Sequence, residues 1–280
     1  MRLTWVDVFT ARPLTGNQLP VVHDADALDD ETMLGFARET RQSETTFVQS
    51  ASEAGADYRC RIFMTRREVP FAGHPSLGTA AAVAFARGDG RARYVQQTRA
   101  GLQSIDVELV DDRTARTSML QEPVSFGPEL DPAVALGAAG IDPSLADPAL
   151  PAQVVETGVP QVLAPVRPEA LDDPEPDFRA LEALLGEHSA LTLYLAAVDG
   201  ETARARALYV DPAAPAEDPA TGSAAGPLMA YLHDRRRIER LRIEQGVEMG
   251  RPSVLECSVE GDRVRVGGDV VVVATGAVRL

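Results

Sequence analysis

Lysine is missing altogether: every one of the 27 basic residues in this 280-residue chain is an arginine. That excludes Schiff-base chemistry, pyridoxal phosphate anchoring and a Walker phosphate loop, which need a lysine amine or ammonium. Positive charge is scarce as well. With 42 acidic residues the net charge is −15, which argues against non-specific nucleic-acid binding, because that requires excess positive charge facing phosphates. Cysteine is nearly absent, and Cys60 and Cys257 stand far apart, outside any redox or metal-ligand spacing. The four histidines (His23, His74, His188 and His233) are scattered, so no metal site is expected. Long apolar runs are lacking too. The longest uncharged one, Val270–Val278, is far too short for a membrane span. Asp7 interrupts the start before a signal-type apolar region can form. The expectation is a cytoplasmic protein with no membrane partner.

What is present reads as globular: 45% apolar and 25% charged residues, in a length that suits one large domain or two ordinary ones. Short alternating or β-branched segments recur between turn-forming residues, which predicts hairpins and meanders. Two amphipathic surface helices are expected at Asp29–Thr40 and Asp177–Leu185. Two further candidates, Pro75–Ala86 and Ala224–Leu232, are apolar all round. A helix with no polar face must be enclosed, so each is expected to run through the middle of a curled sheet.

These two helices belong to an internal repeat. Glu68-Val-Pro70-Phe-Ala-Gly73-His74 matches Glu217-Asp-Pro219-Ala-Thr-Gly222-Ser223 at a shift of 149. Gln97 matches Gln245 at 148, and Thr15-Gly16 matches Thr157-Gly158 at 142. Two similar halves follow, 1–122 and 123–269, with a linker expected at and after Glu122-Pro123, including GPELDP. The last strand, about 270–280, can return to complete the first half.

In each half a glycine, Gly73 or Gly222, stands immediately before an enclosed helix. A helix start offers free N–H groups and partial positive charge, and glycine permits close approach of an anion. If the two starts share a cleft, they can hold a small carboxylate. Nearby titratable groups are His74, Glu68, Glu217 and Asp218, with Glu44 just ahead of the strand Thr45-Thr-Phe-Val-Gln49. Glu44 is either a surface residue paired to Arg41 or a carboxyl pointing into a polar cleft, where a raised pKa would suit general acid/base work.

The segments SETTFV, EVPFAGHPSLGTAAAV, EDPATGSAAGPLMAYL and QGVEMGRPSVLECSV, with the opening VDVFTARPLTGNQLPVV, resemble the phenazine biosynthesis-like (PhzF-like) isomerase and epimerase family over nearly the whole chain. The resemblance implies an α+β, diaminopimelate epimerase-like fold of two pseudo-symmetric domains, each an antiparallel barrel around a central helix. It implies a cofactor-independent proton-shift isomerase, whose characterised member acts on a dihydro-hydroxyanthranilate. Glu44 then stands at the general acid/base, and His74 and Asp218 at supporting positions. Gly73, Gly222 and Ser223 fall at the substrate-binding helix starts, for a small anionic metabolite, and a homodimer is expected. Distant epimerase relatives use two cysteines where this chain has Ala72 and Thr221, so a two-thiol mechanism is not available. Gln18 follows Gly-Asn where proline is common, and MTRRE replaces TPRRE. Two other readings stand beside this one: a serine hydrolase using Ser223, His74 and Asp218, and a binding protein that does no chemistry.

Overall fold

The computed structural model describes residues 1–211 and 214–280. Along the chain run β1 (Arg2–Val8), β2 (Asn17–Val22), α1 (Asp30–Thr40), β3 (Thr45–Gln49), β4 (Tyr58–Phe63) and β5 (Glu68–Val69). Then come α2 (Gly73–Arg87), β6 (Arg91–Thr98), β7 (Gly101–Leu109), β8 (Thr114–Leu120) and β9 (Ser125–Leu130). Next are α3 (Pro132–Ala138), β10 (Ala152–Glu156), β11 (Pro160–Pro165), α4 (Phe178–Glu187), β12 (Leu193–Asp199) and β13 (Thr202–Asp211). The chain finishes with β14 (Ala214–Asp218), α5 (Gly222–Arg236), β15 (Arg240–Gln245), β16 (Ser253–Glu260) and β17 (Arg263–Ala277). Two compact units result: Met1–Leu120 with Gly267–Leu280, and Gln121–Val266. Among the described residues no helix is long and apolar enough to cross a membrane.

In the first unit the strands close a ring of eight in the order β17-β1-β2-β3-β4-β6-β7-β8, with β8 meeting β17 again. β5 hangs on β4 as a short hairpin arm. The pairing is mainly antiparallel, but β2–β3 and β4–β6 are parallel, because a helix-bearing connection separates each of those pairs. α2 packs against β1, β2, β3, β4, β6, β7 and β8, so it fills the barrel. This explains its composition: the residues from Gly73 to Ala84 are all buried. α1 covers the outside, seating Met33 and Ala37 beside Val22, Phe47 and Phe63.

The second unit repeats this order. β10–β11 are antiparallel, β11–β12 parallel, β12–β13 and β13–β14 antiparallel, β13–β15 parallel and β15–β16 antiparallel. α5 packs against β10, β11, β15 and β16. α3 and α4 lie over an apolar cluster that includes Val162, Leu193 and Leu195.

The four expected helices are all present, their ends within a few residues of the sequence patterns. The surface helices are capped as their sequences suggest: Asp29 accepts from Thr32 N–H and Asp177 from Ala180 N–H. The linker expected at GPELDP is instead β9 leading into α3. β9 pairs with β10, and the register slips between Gln153 and Val155, opposite Gly127-Pro128. A bulge is where a strand tolerates proline's missing donor, so the Pro-Gly content misleads there.

Gly78 shows how closely α2 meets its wall. A Cβ there would lie 2.7 Å from Leu19 Cδ2 and 2.8 Å from Val8 Cγ2. Gly78→Ala should therefore overpack the barrel and cost about 1–3 kcal/mol. Urea unfolding would show this as a lower midpoint at unchanged slope; an unchanged midpoint would mean the barrel yields.

Candidate active site

Glu44 sits in the short connection from α1 to β3. Arg41 turns the chain through a left-handed conformation at φ 53°, and Thr40 and Thr45 hydroxyls join across the turn at 2.8 Å. The tether leaves the Glu44 side chain 15% exposed, with Oε2 3.6 Å from His74 Nε2. That histidine, the second residue of α2, is buried, and its other ring nitrogen, Nδ1, lies 3.3 Å from Asn17 Nδ2. Glu44 therefore faces His74, and the surface pairing to Arg41 is not its environment.

Glu44 Oε2 is buried without a hydrogen-bond partner among the described residues. A desolvated carboxyl resists ionisation. Burial accordingly pushes the Glu44 pKa above its ordinary 4.5, against a smaller opposing pull from a hydrogen bond with Ser43. Beside it the first turn of α2 begins at Ala72, which has no side chain with which to cap it. A carboxyl of raised pKa thus stands near a helix start that its own N-cap residue does not cap.

The start of α5, in the second unit, is built differently. The Thr221 hydroxyl donates to Asp218 Oδ2 at 2.5 Å, leaving this helix start uncapped too. Gln245 binds the turn from the side: its Nε2 donates to the Asp218 carbonyl at 2.7 Å and to Thr221 Oγ1 at 2.9 Å. Its Oε1 accepts from Tyr194 OH and from Thr221 N–H. Gln121 Nε2 donates to the Gly222 carbonyl, and Gln161 Nε2 to Ser223 Oγ at 3.4 Å. The Ser223 contact is a donor's, not the base a serine nucleophile needs. Glu44, Gly73 and His74 are thus gathered in the first unit, and Asp218, Gly222 and Ser223 in the second. Among the described residues no group of three His, Cys, Asp or Glu is placed to hold a metal.

The repeated glutamates have another task. Arg61 forks onto Glu68 at 2.8 and 2.7 Å, and Arg206 forks onto Glu217 at 2.9 and 2.6 Å. Burial would raise the Glu68 pKa, but the fork and Arg99 hold it below its ordinary value. Both glutamates brace the hairpin ahead of a central helix. The sequence repeat matches the glutamates and misses the arginines, because the spacing is 7 residues in one hairpin and 11 in the other. The repeat also pairs Gln97 with Gln245, whereas Gln96 does the corresponding work. It accepts from Tyr58 OH and donates to Ser76 in the first turn of α2, while Gln97 serves the loop at Ser52. Two adjacent glutamines cannot be told apart without knowing which faces inward.

A raised folded-state pKa makes a stability contribution that is complete below the unfolded value of 4.5 and lost as pH rises through the folded value. Glu44→Gln removes that loss. Its stability advantage over wild type should grow from pH 4 to pH 8, by roughly 1.4 kcal/mol for every tenfold by which burial weakens the acid. Parallel chemical denaturation series would show it; a constant difference across that range would contradict the burial of an ionisable group here.

Comparison with known proteins places the chain in a family. The phenazine biosynthesis-like protein family matches residues 6–276. Trans-2,3-dihydro-3-hydroxyanthranilate isomerase of Pseudomonas aeruginosa is 36% identical over 269 residues, 95% of this chain and 92% of that one. Among solved structures, a predicted epimerase from Pseudomonas aeruginosa superimposes with a TM-score of 0.87 at 35% identity, covering 100% of this chain and 99% of that one. A probable proline racemase from Agrobacterium radiobacter K84 superimposes at 0.63, covering 100% and 93%; at 13% identity this shows the shared fold alone. The chain therefore belongs to the phenazine biosynthesis-like (PhzF-like) family, and it is an isomerase.

Proposed function

We propose that this isomerase moves a proton within a small carboxylate-bearing metabolite by general acid/base catalysis, without a cofactor. The observation that carries the reading is the Glu44 carboxyl, its Oε2 buried and without a hydrogen bond among the described residues, 3.6 Å from His74 beside a helix start with no side-chain cap from Ala72. In this reading Glu44 gives a proton to one carbon and its conjugate base takes one from another. The start of α2, at Gly73 and His74, attracts the substrate's anionic group. His74 orients the reacting acid. On the second unit, Asp218, Gly222 and Ser223 form a polar helix start with substrate-binding character. A homodimer and a cytoplasmic setting complete the proposal.

The Pseudomonas aeruginosa relative is named for trans-2,3-dihydro-3-hydroxyanthranilate, which carries a carboxylate beside an isomerisable ring and is the first candidate substrate. Incubated with it in deuterated water, the wild type should convert it and incorporate solvent deuterium. Glu44→Gln should lose turnover and exchange together, by about 100- to 10,000-fold. Undiminished exchange in the variant would remove Glu44 from the mechanism, and no conversion by wild type would overturn the substrate assignment.

A further inference from the structure

Asn17, the first residue of β2, is 1% exposed, and its Nδ2 faces Nδ1 of His74 at 3.3 Å. An amide nitrogen can only donate, so the ring nitrogen it meets is the accepting one. In a neutral imidazole the proton then resides on the other nitrogen. That nitrogen is Nε2, the one directed at Glu44 Oε2. We propose that Asn17 is a positioning residue that fixes His74 in its Nε2–H tautomer, so that the ring presents a donor rather than a base to Glu44.

The consequence for the reaction rests on the acid/base role proposed for Glu44. With the opposite tautomer, a lone pair on Nε2 would face the carboxyl and take its proton, leaving an imidazolium–carboxylate pair and no acid for the substrate. With Nε2–H the nitrogen facing the carboxyl has no lone pair to take that proton. The same N–H can donate to the carboxylate that forms once Glu44 has delivered it, a charge-assisted contact after a few tenths of an ångström of closure.

The segment ahead of Asn17 is braced in a way that suits this task. Thr10 and Thr15 hydroxyls meet at 2.6 Å, and Leu14 N–H donates to the buried Asp7 carboxylate at 2.7 Å. Gly16 turns at φ 69°, where a Cβ would lie 2.4 Å from the Val8 carbonyl oxygen. Asn17 itself pairs with Val8 in the β1–β2 ladder. An amide carried on a braced backbone can impose a tautomer, whereas a mobile one would adapt to whichever the ring adopted.

Nitrogen-15 NMR of the histidine-labelled full chain tests this without any substrate. His74 is assigned by the signals lost in His74→Phe. In wild type a one-bond proton coupling is expected on Nε2 and none on Nδ1. Asn17→Asp puts an acceptor in the same place and should place a proton on Nδ1; Asn17→Leu should abolish the fixed preference. Glu44→Gln should keep the wild-type pattern, since Asn17 and not the carboxyl sets it. A proton on Nδ1 in wild type would overturn the proposal, as would an unchanged pattern in Asn17→Asp or a tautomer lost in Glu44→Gln. The wild-type spectrum decides even if a variant does not fold, and failure of the acid/base role would show in isotope exchange while leaving the tautomer untouched.

Discussion

Keeping a carboxyl away from water is what the first unit is organised around. An unpaired buried carboxylate is among the costliest groups a fold can carry, and it lowers that cost by holding its proton. Glu44 is held in this condition by a tight turn, a neighbouring histidine and the wall of a closed barrel. The arrangement works against stability, which supports the catalytic role proposed for Glu44. The barrel makes it possible: closing the ring leaves no sheet edge and encloses a helix whose first turn lacks a side-chain cap.

The same plan is executed twice with different chemistry. Both units run the same sequence of antiparallel and parallel pairings, pass a helix along the sheet and brace the preceding hairpin with an Arg–Glu fork. Such forks are weak sources of net stability, since desolvation offsets the attraction, but removing one partner strands the other charge. Their place ahead of each helix argues that they fix where the first turn begins. What differs is the group at that turn. The first unit offers a carboxyl and an imidazole; the second offers Asp218 bound to Thr221 and a Gln245 amide that makes four hydrogen bonds to three neighbours.

Much of this was legible in the residues alone. The enclosed helices announced themselves because neither has a polar face, and the glycines ahead of them marked the two starts. Glu44 could be singled out as a carboxyl at the mouth of a strand, and the family resemblance set His74 beside it as a supporting group, but their contact depends on how β3 and α2 meet in the barrel. Asn17 carried no signal beyond its place in the opening segment that resembles the family. The arginines of the two forks were hidden by unequal hairpin lengths, and β9 by a Gly-Pro pair that reads as a linker yet occupies a bulge. The failures share a cause: each concerns which groups meet once elements pair, a property that spacing does not encode.

Every role assigned to the first unit depends on Glu44 carrying a carboxyl whose ionisation is suppressed by burial. Carbon-13 NMR of the glutamate side chains, with Glu44 assigned by the signal missing in Glu44→Gln, follows that group through pH directly. A titration midpoint above 4.5 is the expected result. A midpoint at or below it would mean that the carboxyl is solvated or paired as a carboxylate, and Glu44 would not be the acid described here.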